Sequence, residues 1–169
     1  ARWEKALLMF EEGFLALHSD RTAAGLLHEQ SAESFDAARD PWWAAIALRE
    51  AGRVAFYQGT HTEATRLLER SLNIRRALGD RRGIADSLDG LGIVATYRGQ
   101  LDEAEQLLRE SVAIAQASTD TEAFTSAIAN LGASLAVAGQ LDEGRAALCE
   151  AVLVLGDLGR GWSLAHAQA

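Results

Sequence analysis

The side chains in this sequence best suited to act as general bases, nucleophiles or metal ligands are four histidines, His18, His28, His61 and His166, and one cysteine, Cys149. Their spacing denies them that work. No two histidines stand four residues apart, the separation that puts two imidazoles on one helical face around a shared ion, so turn or surface positions are expected for them. Cys149, beside Leu148, reads as a small, partly buried apolar residue, and without a second cysteine it forms no internal disulfide. The stretch Gly156-Asp157-Leu158-Gly159-Arg160-Gly161 has the glycine density of a phosphate loop. No strand precedes it and no Lys-Ser or Lys-Thr follows, so it is expected to be a turn between helices. No converging nucleophile and base, and no pair of carboxylates in contrasting environments, stands out. No catalytic residue, metal ligand or cofactor is assigned.

Charge narrows the classes further. The chain of 169 residues carries a formal charge of −8, which disfavours a broad nucleic-acid surface or an anionic membrane. The one basic cluster, Arg75, Arg76, Arg81 and Arg82, falls at the end of a helical segment and in the turn after it, where compensation of the helix dipole and solvation account for it. Apolar residues make up 49% and charged residues 24%, a balance that suits a globular protein able to bury a core, and no apolar run is long enough to span a membrane. With one cysteine and no leader-like segment, a reducing cytoplasm is the expected compartment.

The elements that must position any site follow from a repeat. The chain has one proline, Pro41, but fifteen glycines, and many of those recur at a fixed interval. Set in blocks of forty, the columns align without a gap: Gly52, Gly92 and Gly132; Gly59, Gly99 and Gly139; Glu63, Glu103 and Glu143; Leu68, Leu108 and Leu148. Gly99-Gln100-Leu101-Asp102-Glu103 returns as Gly139-Gln140-Leu141-Asp142-Glu143. The whole of 1–169 thus reads as a single repeat array. It has a degenerate first unit (1–40), full units at 41–80, 81–120 and 121–159, and the start of a further unit or a capping helix at 160–169, as if cut rather than finished.

Each unit holds two helices by its apolar spacing. The first runs from Pro41 to about Gln58 in unit two, with Ala45, Leu48, Gly52 and Ala55 on one face and Asp40 as N-cap. The second begins after Gly59, where Thr60 and Glu63 have capping-box spacing, and presents Ala64, Leu67, Leu68, Ser71 and Ile74. Gly79-Asp80 ends one helix and caps the next. Glycine at 52, 92 and 132 sits on a buried stripe, where it weakens a helix by roughly 1 kcal/mol relative to alanine. Close approach of the hairpin partner at Ala64 and Ala104 is expected to offset that.

The pattern Leu/Ala-Gly, twelve residues to Ala, four more to Leu resembles the tetratricopeptide repeat (TPR), clearly over 41–158 and weakly over 1–40. The forty-residue period is longer than the common repeat. The string Leu78-Gly79-Asp80-Arg81-Arg82-Gly83-Ile84-Ala85 resembles sensor arrays of bacterial signalling proteins, among them LuxR-type transcription activators and regulatory ATPases. The resemblance implies an all-α, right-handed solenoid of antiparallel helix hairpins whose first helices line a concave groove. Carried over by register, the groove residues are Ile46, Arg49, Arg53, Phe56 and Tyr57; then Asp86, Asp89, Ile93, Thr96 and Tyr97; then Ser126, Ala129, Ala133, Ala136 and Val137. Residues 49, 53, 56 and 57 do share a helical stripe offset from the core stripe. Two readings stand for the charges, either contacts for a ligand or internal bracing of Arg49 and Arg53 against Asp86 and Asp89. Two also stand for Phe56 and Tyr57, packing between repeats or contact with a partner. Trp3, Trp42, Trp43 and Trp162, in two adjacent columns, are expected to cover hydrophobic faces at the ends of the array, with docking of a partner as the alternative.

The implied function is a non-catalytic scaffold binding a protein, a peptide or another domain of its parent chain, as a fragment of a larger bacterial signalling or transcription-regulatory protein. The alternative is a small-molecule sensor with the effector in the same groove. The last second helix carries Leu148, Ala151, Val152, Leu153, Val154 and Leu155, more apolar surface than one hairpin hides, so self-association through that end is also expected.

Overall fold

Every first helix of a full unit begins on an aspartate that satisfies a backbone N–H the helix itself leaves open. Asp40 accepts from Trp43 N at 3.2 Å, Asp80 from Gly83 N at 3.0 Å and Asp120 from Ala123 N at 3.0 Å. In the computed structural model, which describes the backbone of residues 2–118 and 120–167 and side chains up to residue 156, eight helices form and no strand. They are α1 (Arg2–Ala16), α2 (Arg21–Ala37), α3 (Pro41–Tyr57), α4 (His61–Leu78), α5 (Arg81–Tyr97), α6 (Leu101–Ala117), α7 (Thr121–Val137) and α8 (Leu141–Ala167). Gly79 closes α4 at φ 68°, a left-handed conformation open to glycine at little cost.

The second helices start differently from expectation. Thr60 makes no side-chain cap for α4; its hydroxyl donates instead to Ala55 O at 2.9 Å, and Glu63 pairs with Arg66. The hydroxyl thus joins the Thr60 backbone N–H on the same Ala55 carbonyl at the end of α3, and is turned away from the first turn of α4.

Each helix packs on the next, and beyond those neighbours α3 meets α5 and α5 meets α7. The odd-numbered helices of the full units therefore form one continuous wall. Within hairpins a buried serine ties the two helices: Ser31 donates to Ala6 O at 2.8 Å, Ser71 to Ala45 O at 2.8 Å and Ser111 to Ala85 O at 2.9 Å. The separation is 25 residues in the first hairpin and 26 in the others. The α1–α2 hairpin is thus one residue short of the forty-residue register, which is why α2 obeys the columns and α1 obeys them only loosely.

The glycine column is a helix crossing, but its partner is not the expected alanine. A Cβ on Gly92 would lie 2.5 Å from Leu108 Cγ, and one on Gly52 would lie 2.9 Å from Leu68 Cγ and 3.4 Å from the Ala64 carbonyl oxygen. The leucine one turn beyond the alanine fills the space, because helical side chains lean toward the N-terminus and cover the turn before their own Cα. In the first unit the same seat is taken by His28, whose ring approaches Gly13. His28 is 0% exposed, contrary to the turn or surface position expected of it. Phe10 and Phe14 meet it edge-on at 5.3 and 5.1 Å, and both ring nitrogens are buried without a hydrogen-bond partner. Burial holds its pKa below the ordinary histidine value, partly opposed by Glu50 and reinforced by Arg53.

Three further expectations are corrected. The indoles are not end covers: Trp43 stacks on Phe35 at 5.5 Å and meets Trp3 at 6.2 Å and Phe10 at 5.6 Å, inside the junction of units one and two. Trp162 lies outside the described side chains. The arginine cluster disperses into separate pairs: Arg75, buried, binds Asp80 and lies 5.9 Å from the Trp42 ring centre, Arg76 reaches Glu110 and Arg82 reaches Asp120. No turn interrupts Gly156–Gly161, because α8 runs unbroken to Ala167; glycine costs a helix only about 1 kcal/mol and no proline is present to stop it. The side chains of 160–169, expected to start a unit or a cap, lie outside the described residues.

The leucine seat yields paired expectations, measured by urea unfolding at pH 5 and pH 8. Gly92→Ala, although alanine is the better helix former, should destabilise by about 1–3 kcal/mol because Leu108 has nowhere to move. His28→Leu should stabilise by about 1–3 kcal/mol, since it removes two unbonded buried nitrogens. The gain should be larger at pH 5, because a folded state that disfavours imidazolium loses stability as pH falls below the unfolded histidine pKa. An unchanged midpoint for Gly92→Ala, or a loss for His28→Leu, would contradict this packing.

Candidate partner-binding groove

On the wall made by α3, α5 and α7 two cavities adjoin. One, of 140 Å3, is lined by Arg49, Arg53, Phe56, Tyr57, Leu68, Asp86, Asp89, Gly90, Ile93 and Val94. The other, of 540 Å3, is lined by Phe56, Tyr57, Ile93, Thr96, Tyr97, Asn130, Ala133, Ser134 and Val137. Phe56, Tyr57 and Ile93 belong to both, so the two are parts of one trough. All nine residues singled out from α3 and α5 (Arg49, Arg53, Phe56, Tyr57, Asp86, Asp89, Ile93, Thr96, Tyr97) stand along it. Of the remaining residues carried over, Ala133 and Val137 also line it, whereas Ile46 packs half-buried on the core and Ala136 turns to the α7–α8 face. Ser126 and Ala129 line neither cavity.

One column of the wall changes residue from unit to unit. Positions 50, 90 and 130 hold Glu, Gly and Asn. Asn130 reaches back from α7 to Asp89 on α5, donating at 2.9 and 3.0 Å to its two oxygens. Gly90 has no side chain to reach back to α3, and a Cβ there would press on Leu68 at 3.1 Å.

The arginines are not braced against the aspartates as the internal reading has it. Glu50, with its side chain 5% exposed, draws both to itself: Arg49 at 2.6 Å on Oε1 and Arg53 at 2.7 Å on Oε2. A buried carboxylate needs such partners, since an uncompensated charge there costs several kcal/mol. Glu50, Gly90 and Asn130 were not legible as site residues; the signal for them is that their column changes chemical class in every unit, as the adjoining groove column Arg49, Asp89 and Ala129 does.

Asp86 and Asp89 are left with less compensation. Burial raises the pKa of Asp86, opposed by Arg49 and more distantly by Arg75 and Arg82. Burial pushes Asp89 up to about 6, against the hydrogen bonds from Asn130 and with the help of the neighbouring Asp86. Farther along, Thr96 joins α5 to α7 through Ser134 at 2.8 Å. The aromatic pair divides in role. Phe56 packs half-buried against the core and meets Tyr97 edge-on at 4.9 Å, while Tyr57 is 58% and Tyr97 70% exposed. Among the described residues no group of three or more His, Cys, Asp or Glu is placed to hold a metal ion, and no helix is long and apolar enough to cross a membrane.

A second cavity site lies at the far end, where Ala136, Leu141, Arg145, Leu148, Cys149, Val152 and Leu153 line 490 Å3. Leu108 in the preceding unit is 0% exposed, whereas its equivalent Leu148 is 40% exposed. Cys149, expected partly buried, is exposed. Lying next to Leu148 in the helix, it is turned away from the hairpin by the 100° step between neighbours.

The raised Asp89 pKa has a signed consequence. The folded state holds that proton more tightly than the unfolded chain, so this group's contribution to stability falls as pH rises through the window from about 4 to about 6. Asp89→Asn should therefore raise stability by about 1–3 kcal/mol at pH 8 and by much less at pH 4, a discount being due because the carboxyl is partly solvated. Urea midpoints at the two pH values check it; an equal effect at both would remove the burial of this carboxylate as the cause.

Residues 43–117 match the family model described as tetratricopeptide repeat. Among curated proteins none matches the chain in sequence. Of solved structures, BtubC from P. vanneervenii superposes with TM-score 0.80 at 15% identity, covering 91% of this chain and 64% of that one, so the chain spans less than two thirds of its length. A kinesin light chain-like protein of Podosopora anserina with nearly identical TPR-like repeats gives 0.57 at 18% identity, covering 94% and 89%. MamA gives 0.56 at 16% identity, covering 86% and 85%. At such identities these likenesses carry the fold alone. With the tetratricopeptide-repeat model matched over residues 43–117 and the same hairpin packing on either side, the chain has the fold of an all-α, TPR-like helical-repeat solenoid.

Proposed function

We propose that the chain is a non-catalytic docking module that holds a peptide segment of a partner protein, or of another domain of its parent chain, in the trough across α3, α5 and α7. One observation carries this reading. Tyr57 and Tyr97 are more than half exposed on the rims of a 540 Å3 apolar trough, in positions where core packing does not require them. Exposed aromatics around a partly apolar concavity are the usual anchors of protein recognition. Repeat solenoids in general present such extended concave surfaces. The larger context proposed, a bacterial signalling or transcription-regulatory protein of the cytoplasm, rests on the segment Leu78–Ala85 and its resemblance to sensor arrays. The trough is open along its length, which suits an extended chain better than an enclosed effector.

Self-association through the α7–α8 face belongs to the same proposal, since the equivalent leucine one unit earlier is fully covered by the next helix. Sedimentation at tens of micromolar that gave monomer alone would remove that part.

For the groove, selection of a random nonapeptide display library on the wild type should enrich families that no longer bind the Tyr57→Ala/Tyr97→Ala double variant. Both residues are surface-exposed, so the variant should fold. Failure to enrich any family dependent on them, or a bound small molecule in native mass spectra that the double variant loses, would overturn the peptide reading in favour of none or of an effector sensor.

A further inference from the structure

The trough is not electrically neutral, and its imbalance is directional. Its floor between α3 and α5 carries two cations, Arg49 and Arg53, and three carboxylates, Glu50, Asp86 and Asp89. Both arginines are bound to Glu50, one on each oxygen, at 2.6 and 2.7 Å. What they offer to a ligand is correspondingly reduced. Asp89 is hydrogen-bonded by the neutral amide of Asn130; the cation that faces both aspartates, Arg49, is already paired with Glu50, and the more distant ones facing Asp86 are engaged elsewhere, Arg75 with Asp80 and Arg82 with Asp120. Both aspartates line the 140 Å3 cavity and are reached from the groove through it.

Next to this cavity lies the apolar one, reached along the same helix. Ile93 is one turn and Tyr97 two turns from Asp89, which places the apolar contact about 6 to 12 Å from the carboxylate. In an extended peptide, side chains two residues apart point the same way with a separation of about 7 Å. We infer that the groove recognises an extended segment bearing a lysine or arginine two residues from a leucine or phenylalanine, the cation entering between α3 and α5 beside Asp86 and Asp89 and the apolar side chain resting among Phe56, Ile93 and Tyr97. This inference rests on the groove being the docking site and specifies the chemistry of what docks there. A carboxylate-rich segment meets a floor that already has an excess of negative charge. A purely apolar one leaves the two aspartates desolvated without a partner, which a buried polar group resists.

The test uses three dye-labelled, end-capped pentapeptides, Gly-Lys-Gly-Leu-Gly and its versions with norleucine or glutamate in place of lysine, followed by fluorescence anisotropy at pH 7.5 and low salt. The lysine peptide should bind at least tenfold more tightly than either of the others. Asp89→Asn should reduce its affinity about tenfold without weakening the norleucine peptide, whose desolvation penalty it eases, and because that substitution is expected to stabilise the fold, the loss cannot be put down to unfolding. Lowering the pH from 7.5 to 5 should weaken wild-type binding severalfold as Asp89 takes up its proton. Equal binding of the lysine and norleucine peptides would overturn the charge recognition, and tighter binding of the glutamate peptide would transfer it to the arginines. No binding of any of the three below about 1 mM also overturns it. Each of those outcomes is separable from failure of the docking site itself, which the library selection reads independently: selected families that depend on Tyr57 and Tyr97 but carry no cation sink this inference and leave the groove.

Discussion

Everything in this molecule hangs on how closely two antiparallel helices cross at a glycine. The missing Cβ at Gly52 and Gly92 admits Leu68 and Leu108 into the seat, and the buried serines three residues beyond those leucines bind the opposing backbone carbonyls, fixing rotation and spacing together. A leucine packed at that distance loses contacts on any displacement, whereas a hydrogen bond to a carbonyl tolerates little rotation. Because the same pair of constraints recurs, each hairpin presents its first helix at nearly the same attitude, and a wall of first helices results. Where a unit departs from it, the change is local: His28 fills the leucine seat in the first hairpin, surrounded by Phe10, Phe14 and the Trp43 cluster, and Gly132 and Gly144 bring backbones together in the last.

The groove is made by variation laid over that regularity. With backbone attitude held constant, the residues at one column decide whether neighbouring units touch or part. Asn130 closes the α5–α7 junction by bonding Asp89, and Thr96 with Ser134 does so again one to two turns along. Gly90 makes no such bond across the α3–α5 junction at the corresponding level, and Leu68 packs close to it instead. Paired columns change together elsewhere: Phe35 stacks on Trp43, and one unit later Arg75 lies over Gly83, in the space a Cβ would need. Arg75 can lie where it does because Gly83 on the next first helix carries no side chain, the interior being close-packed.

Charge follows burial rather than sequence separation. The expected bracing of Arg49 and Arg53 by Asp86 and Asp89 joined residues of opposite sign on one stripe of adjacent helices. Glu50 prevails because it is the most deeply buried carboxylate of the group and gains most from two guanidinium partners. The aspartates, more open to water, can tolerate being left without them. The same competition moves Arg75 out of its surface cluster and into contact with Asp80 and the Trp42 ring.

The sequence by itself determined the period, the helix pairs, their aspartate caps and the stripe of groove residues, since these depend on local spacing and on the repetition of identical columns. It also carried the one-residue shortfall of the first unit, visible only as weaker agreement. Which residue fills the glycine crossing, where Thr60 spends its hydroxyl, which carboxylate claims the arginines and how deeply His28 lies were decided by tertiary structure alone. Each of those is a competition among groups brought together from separate helices, and its outcome depends on relative burial and on a few tenths of an ångström of space. Neither quantity is written in a column of letters, because both arise only when neighbouring hairpins have excluded water from between them.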